Sequence, residues 1–367
     1  MADPIQFIMV GCGGIANSWL EQVFTNPDIK DDVELVAVCD PIPSRFKKLE
    51  KFGYEDVPTY SDVANAFVDG VWADAALILT PPQYHPRYIR ECVRNDLHVI
   101  TEKSFLTNMN QYRAMRDLIP MMEEMDLIGV VNQQYRWNPR NQAIKLALNE
   151  GKIGEIGWVR SNFTQNRYHF NDWWRSMHED ISQFNWFIHH YDNMRFYLDS
   201  NPKTVRARLT SVPWSKIYGE STIFLDVEFE NGVNWSYIAT QEGVAAFEDS
   251  GQTSFTIYGS KGAIRNTKNK PPELRVEGSD PHNPDVEFLG EMTEADEIST
   301  DSSKKKYPPG WDITMKHFIK AVRSDGEYKH PTRFQDNFYT IAIPLCARES
   351  QRRNGAPVDV KEYLGLD

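Results

Sequence analysis

The run Gly11-Cys12-Gly13-Gly14-Ile15-Ala16 lies between an apolar stretch, Ile5 to Val10, and a stretch of helical character, Ile15 to Thr25. In such a turn Gly11 allows the tight bend and Gly13 lets the backbone approach a pyrophosphate. Ala16, in place of a third glycine, still permits close helix–strand packing. The start of the helix offers free N–H groups to an anion. A second apolar run, Val33 to Cys39, ends at Asp40. A carboxylate there accepts both hydroxyls of an adenosine ribose and repels a 2′-phosphate. A glycine turn alone is a weak signal; strand, turn, helix and acid in register are a specific one. Gly11, Cys12, Gly13, Gly14, Ile15 and Asp40 therefore predict a dinucleotide site that favours NAD over NADP, while Arg45 leaves NADP open.

A second group of residues is dense in hydrogen-bonding and aromatic side chains: Gln165-Asn166-Arg167-Tyr168-His169-Phe170-Asn171-Asp172-Trp173-Trp174-Arg175. Sugars need flat rings for their apolar face and Asn, Asp, Arg or His for their hydroxyls. An ordinary loop carrying two core tryptophans would read equally well.

These groups must be positioned by regular elements. Ala75 to Leu79, His98 to Thr101 and Leu127 to Asn132 read as strands. Helical stretches at Ser44 to Phe52, Arg87 to Asn95 and Asn110 to Glu124 alternate with them. That alternation predicts a doubly wound parallel sheet, an α/β Rossmann domain, over residues 1–132. Beyond it the pattern changes. Asn138 to Asn149 and Ile181 to Leu198 are helical, and Ile156 to Gln165 has strand character. Thr204–Val212, Ser221–Glu230, Val233–Thr240 and Ser254–Tyr258 are strand-like and separated by turn residues, which suits an open, mostly antiparallel sheet. Residues 266–308 are polar and rich in Pro, Gly, Ser and acid, and read as a long loop over strand remnants. Trp311 to Arg323 and Phe334 to Arg353 close the chain as helices. The expected second domain is α+β over residues 133–367, with the closing helix 334–353 able to return to the first.

Composition narrows the function classes. The chain has 367 residues, 41% hydrophobic and 25% charged, a globular mixture of two-domain length. A formal charge of −12 argues against a general nucleic-acid binder and gives no attraction to anionic lipid. The apolar runs are strand-sized, far short of the roughly 20 residues of a membrane span. The N-terminus shows no basic region or cleavage site of a signal peptide. Cys12, Cys39, Cys92 and Cys346 suit neither a disulfide framework nor a zinc site. The expectation is a cytoplasmic protein without a metal.

Several further motifs, in order, resemble signatures of the glucose–fructose oxidoreductase/inositol dehydrogenase (Gfo/Idh/MocA) family. They are Leu79-Thr80-Pro81-Pro82 followed by His85, Val99-Ile100-Thr101-Glu102-Lys103-Ser104, and Gln133-Gln134-Tyr135-Arg136-Trp137-Asn138-Pro139. Gly151-Lys152-Ile153-Gly154-Glu155-Ile156, Ile188-His189-His190-Tyr191-Asp192 and Gly259-Ser260-Lys261-Gly262 continue the series over nearly the whole chain. The resemblance implies that Thr80, Pro81, Pro82 and His85 line the cofactor's path and that Glu102 and Lys103 sit by the nicotinamide. Gln133 and Arg136 would belong to the segment closing over it. Lys103 would be the catalytic lysine and His189 the histidine facing substrate. A Trp-Arg pair in the segment 165–175, here Trp174 and Arg175, would reach the active site, and the same segment offers Asn166, His169 and Asp172 as further substrate contacts. A homodimer or homotetramer through the second domain's sheet is implied as well.

Two positions depart from the pattern. Ser104 stands where the family's Glu-Lys-Pro motif has proline, and Asn185 stands where many of its dehydrogenases carry an aspartate, one helical turn before the histidine. An asparagine orients by hydrogen bonding but carries no charge. Asp192, on a compatible face, is an alternative acid, although pairing with an arginine such as Arg195 is its more ordinary role; His190 reads as packed. The implied chemistry is an NAD(P)-dependent oxidoreductase acting on a secondary hydroxyl of a sugar, polyol or related polyhydroxy compound. Lys103 would favour the developing alkoxide and His189 would take the proton. The alternatives are a redox-assisted glycoside-cleaving enzyme that holds NAD without net turnover, and a non-catalytic nucleotide-binding sensor.

Overall fold

The computed structural model describes residues 3–165, 182–215, 217–243, 254–267, 270–277, 285–290, 310–324 and 326–366. The chain forms two compact units, one of Met1–Gln134 with Pro309–Phe338, the other of Tyr135–Pro308 with Tyr339–Asp367.

The first unit is built on six parallel strands: β1 (Ile5–Val10), β2 (Val33–Cys39), β3 (Thr59–Tyr60), β4 (Ala75–Ile78), β5 (His98–Thr101) and β6 (Gly129–Val131). Their spatial order is β3-β2-β1-β4-β5-β6, so the direction of winding reverses between β1 and β4. Ligands of open α/β sheets bind at the carboxyl ends of strands at such a reversal. The strands are apolar on both faces because helices cover both; all four residues of β4 are buried. Phe7, Met9, Trp19, Leu35 and Leu77 share one core with Trp311, Met315 and Phe318 from helix Trp311–Arg323.

Local deviations have local causes. The helix expected over Ile15 to Thr25 forms as Ala16–Trp19 and widens into a π-type turn at Leu20–Phe24. The helix expected over 44–52 is a tighter 3-10 helix, Pro43–Phe52. The single helix expected over 110–124 is two, Met109–Arg116 and Ile119–Glu124. Pro120 explains the break, since it has no N–H for the preceding turn and is tolerated where a helix begins.

Among the described residues of the second unit nine strands follow the order β14-β13-β12-β11-β7-β10-β9-β8-β15. They are β7 (Ile156–Thr164), β8 (Pro202–Thr210), β9 (Thr222–Phe229), β10 (Asn234–Thr240), β11 (Ser254–Gly259), β12 (Gly262–Thr267), β13 (Lys270–Val276), β14 (Asp285–Phe288) and β15 (Val358–Asp359). Only β7 and β10 pair in parallel; the other neighbours are antiparallel. Buried and outward-facing residues alternate along β10, the mark of a sheet covered on one face. The π-type turn Ser182–Phe187 and the helix Ile188–Leu198 belong to this unit.

Within residues 266–308, read as a long loop over strand remnants, the described residues form β13 and β14. Pro271 and Pro272 lie in β13, where the register with β12 shifts, and β14 is an edge strand exposed at all four positions. Both carry little apolar sequence: two prolines stand near the start of β13, and the alternation of β14 runs over only four exposed residues, so the signal that announces a strand is weak.

Gly129 in β6 faces the Phe334 ring so closely that an added Cβ would lie 2.3 Å from it. That ring is itself held in a stack with Phe105, 4.4 Å between centroids. Gly129→Ala is expected to destabilise the fold by about 1–3 kcal/mol through overpacking. A lowered urea midpoint checks it; an unchanged midpoint means the ring yields.

Candidate functional site

The glycine turn closes the carboxyl end of β1. Gly11 has φ +102° and donates its N–H to the Cys39 carbonyl at 2.7 Å. A Cβ there would meet the Leu79 carbonyl carbon at 2.9 Å and the Thr80 nitrogen at 3.0 Å, so only glycine fits. Gly13 and Gly14 are the opposite case: nothing lies within 4 Å of where their Cβ atoms would be. This open space sits at the start of a helix whose N-cap, Ile15, offers no side-chain cap.

Asp40 is buried and firmly held. One carboxylate oxygen accepts the Cys12 N–H at 2.8 Å, and the other accepts the Ile42 N–H at 2.9 Å. The half-exposed Arg45 guanidinium pairs with it at 3.1 Å. Lys48 escaped the sequence reading: its ammonium donates to the Gly13 carbonyl. Burial lowers its pKa. Arg45 and Lys48 are three residues apart on one helix, a spacing that could have revealed the second cation. Burial pushes the Cys12 thiol up to about 11, which makes it a packing group.

Lys103 follows β5 beside a buried acid. One oxygen of Glu102 accepts the indole N–H groups of Trp19 and Trp311, each at 3.0 Å, and the Asn132 amide at 2.9 Å. The other accepts the Lys103 backbone N–H at 3.2 Å. Glu102 therefore faces protein donors and fixes the backbone that carries Lys103. Lys103 itself is partly exposed, and the Lys103–Ser104 peptide is cis.

His85 is fully buried, with Nε2 2.8 Å from the Thr80 carbonyl and Nδ1 3.3 Å from the Phe105 carbonyl. Burial pulls its pKa down to about 4. A neutral ring has one N–H, and the shorter contact, to Thr80, takes it. His85 thus secures the segment leading into Pro81 and Pro82. The Thr80 hydroxyl and both ends of the Gln133 amide are buried, without a hydrogen-bond partner among the described residues. Buried polar groups want partners. These orphaned atoms, with the space over Gly13 and Gly14, fit a bound dinucleotide.

In the second unit His189 lies in the first turn of helix Ile188–Leu198 and is 4% exposed. Its imidazole stacks face to face on the Tyr135 ring, 4.0 Å between centroids and 11° between planes. Asn185 precedes it in the π-type turn, so the α-helical offset expected between the two does not hold. Asp192 is fully engaged. Arg136 grips it through Nε at 2.7 Å and Nη2 at 2.8 Å, and the Thr340 hydroxyl donates to it at 3.0 Å. Arg195 touches this group through Thr340, at 2.8 Å. His190 bonds through Nδ1 to the Tyr237 hydroxyl, and burial pulls its pKa to about 3. Asn166, His169, Asp172, Trp174 and Arg175 lie outside the described residues.

Residues 5–131 match the model of an oxidoreductase family with an NAD-binding Rossmann fold, and residues 141–265 match the GFO/IDH/MocA C-terminal domain. A D-apiose dehydrogenase of Rhizobium rhizogenes is 29% identical over 374 residues, covering 97% of each chain. An inositol 2-dehydrogenase of Rhizobium meliloti is 23% identical over 286 residues, 75% of this chain and 79% of the relative. Among solved structures, an oxidoreductase from Agrobacterium radiobacter in complex with NAD+, L-tartaric acid and magnesium superposes with a TM-score of 0.81 at 25% identity. That match covers 98% of this chain and 99% of the other. Among the described residues no helix is long and apolar enough to cross a membrane.

The Arg136–Asp192 pair is buried on both sides, with side-chain exposures of 7% and 1%. Removing one partner strands a charge. Arg136→Met is expected to cost about 3–5 kcal/mol, and the double variant Arg136→Met/Asp192→Leu to recover much of it. Urea unfolding of both measures this; a loss below about 1 kcal/mol in the single variant would place the pair with ordinary surface bridges.

Proposed function

We propose a reaction for this chain, which belongs to the GFO/IDH/MocA oxidoreductase family: it oxidises a secondary hydroxyl of a sugar or polyol and passes the hydride to NAD. The observation that carries this reading is the open cradle over Gly13 and Gly14 beside a carboxylate fixed for a ribose. D-apiose is the first substrate to try, given the relative whose match covers 97% of this chain; inositol is the second.

When bound, NAD supplies the acceptor for the hydride. The protein's residues handle the rest. The glycine turn and helix start hold the pyrophosphate, and Asp40 accepts from the ribose hydroxyls. Gln133 and Thr80 offer their orphaned polar atoms to the cofactor, with Pro81 and Pro82 alongside. Lys103 hydrogen-bonds the substrate oxygen and favours the developing alkoxide, while His189 takes the proton. Asn166, His169, Asp172, Trp174 and Arg175 supply sugar contacts. The carbon loses a hydride and the oxygen loses a proton, so a ketone and a protonated base result.

Asp40 repels a 2′-phosphate, which favours NAD, even with Arg45 and Lys48 close by. We place the protein in the cytoplasm, in keeping with four buried, unpaired cysteines. It assembles through the outward face of the second sheet, where Trp158, Phe224 and Ile238 are exposed.

NADH absorbance with D-apiose, inositol and a panel of sugars tests the reaction. Lys103→Ala should lower turnover on the order of 10²- to 10⁴-fold while NADH still binds; an undiminished rate would remove Lys103 from the mechanism. Release of a leaving group from a glycoside without net NADH would replace dehydrogenation by redox-assisted cleavage. Wild-type enzyme should prefer NAD to NADP, and Asp40→Ser should narrow the ratio. Equal use of both cofactors by the wild type would overturn the assignment to NAD.

A further inference from the structure

A base must be held at one angle to be effective. The acid expected one turn before His189 is the neutral Asn185, and Asp192 is consumed by Arg136 and Thr340. We propose that Tyr135 is the positioning residue for His189, its ring fixing the plane of the imidazole. The proposal rests on the reading of His189 as the base.

The turn Gln134–Trp137 carries Tyr135, and it is anchored to the helix of His189 at two levels. Arg136, the next residue, clamps Asp192, three residues beyond His189 on that helix. Farther along, the Tyr197 hydroxyl donates to Asn141 Oδ1 at 2.7 Å, and Asn141 Nδ2 donates back to the Tyr135 carbonyl at 2.6 Å. The Tyr135 carbonyl also accepts the Asn138 N–H at 3.2 Å, and the Arg136 carbonyl accepts the Gln142 side chain at 2.6 Å. The phenol ring therefore lies on a rigid turn braced from both ends. Planes 11° apart at 4.0 Å leave the imidazole little room to tip. The stack also acts differentially. An aromatic face attracts a cation, so contact strengthens as His189 gains the proton, which is the kind of interaction that assists a reaction.

The test compares Tyr135→Ala, Tyr135→Phe and His189→Ala in the full chain, with D-apiose and NAD as the assay. The His189 Cε1–H resonance is followed in parallel and assigned by its loss in His189→Ala. Tyr135→Ala is expected to lower kcat on the order of tenfold to a hundredfold, with KM and NADH affinity held within about twofold. Tyr135→Phe should recover most of that loss. The imidazole resonance should lie upfield in the wild type through the ring current, move downfield in Tyr135→Ala, and stay upfield in Tyr135→Phe. Full activity in Tyr135→Ala beside a dead His189→Ala would overturn the inference and leave His189 as the base. Full activity in His189→Ala would overturn both. A resonance that Tyr135→Ala does not move would overturn the inference whatever the activity.

Discussion

The carboxylate of Glu102 is buried in the first unit, and a buried charge is tolerated only where donors replace the water it has lost. The donors come from four separate places in the chain: the helix after the glycine turn (Trp19), the residue after β6 (Asn132), the helix Trp311–Arg323 (Trp311), and the backbone of Lys103. None of them alone would suffice. Asn132 is held in turn by the Thr314 hydroxyl at 2.9 Å, and the Thr314 backbone N–H donates to the Gly310 carbonyl at 3.0 Å. The acid thus ties the helix that opens at the dinucleotide cradle to the strand end that presents the lysine. Its position beside Lys103 in sequence suggests a role toward the cofactor, and its surroundings add a role toward the protein.

The second unit repeats the lesson with adjacent histidines. His190 is enclosed by Phe163, Phe187 and Tyr237, bonded to the Tyr237 hydroxyl, and weakened as a base by burial. His189, one residue earlier, turns its face to Tyr135 instead. A rotation of about 100° along a helix separates a core group from a candidate base.

Much of the first unit was legible because its signals are local. A continuous apolar run means a strand covered on both faces, and the glycine turn, strand end and acid follow one another within a short span. The strands of the second sheet from β7 to β11 were legible by their strand character and the turn residues that separate them. β13 and β14 were legible only as strand remnants, since two prolines stand near the start of β13 and β14 is a four-residue strand exposed along its length. Site residues divided along the same line. Gly11, Gly13 and Asp40 declare themselves by context. The grip of Arg136 on Asp192 joins residues 56 apart, and that of Trp311 on Glu102 joins residues 209 apart, so no local pattern announces either. Lys48 stood within reach of a periodicity argument, three residues from Arg45.

The return of Pro309–Phe338 to the first unit bears on how the protein is made. Chains emerge from the N-terminus, and domains ordinarily fold as they appear. Here the segment that carries the glycine turn, Asp40 and Lys103 is synthesised early, yet Trp311, Met315 and Phe318 of its core come only after strands β7 to β14 of the other unit. Until then Glu102 lacks one of its indole donors and the sheet lacks part of its cover. The nucleotide-binding half of this protein is begun first and finished almost last, so its nascent form must wait, incomplete, on the ribosome.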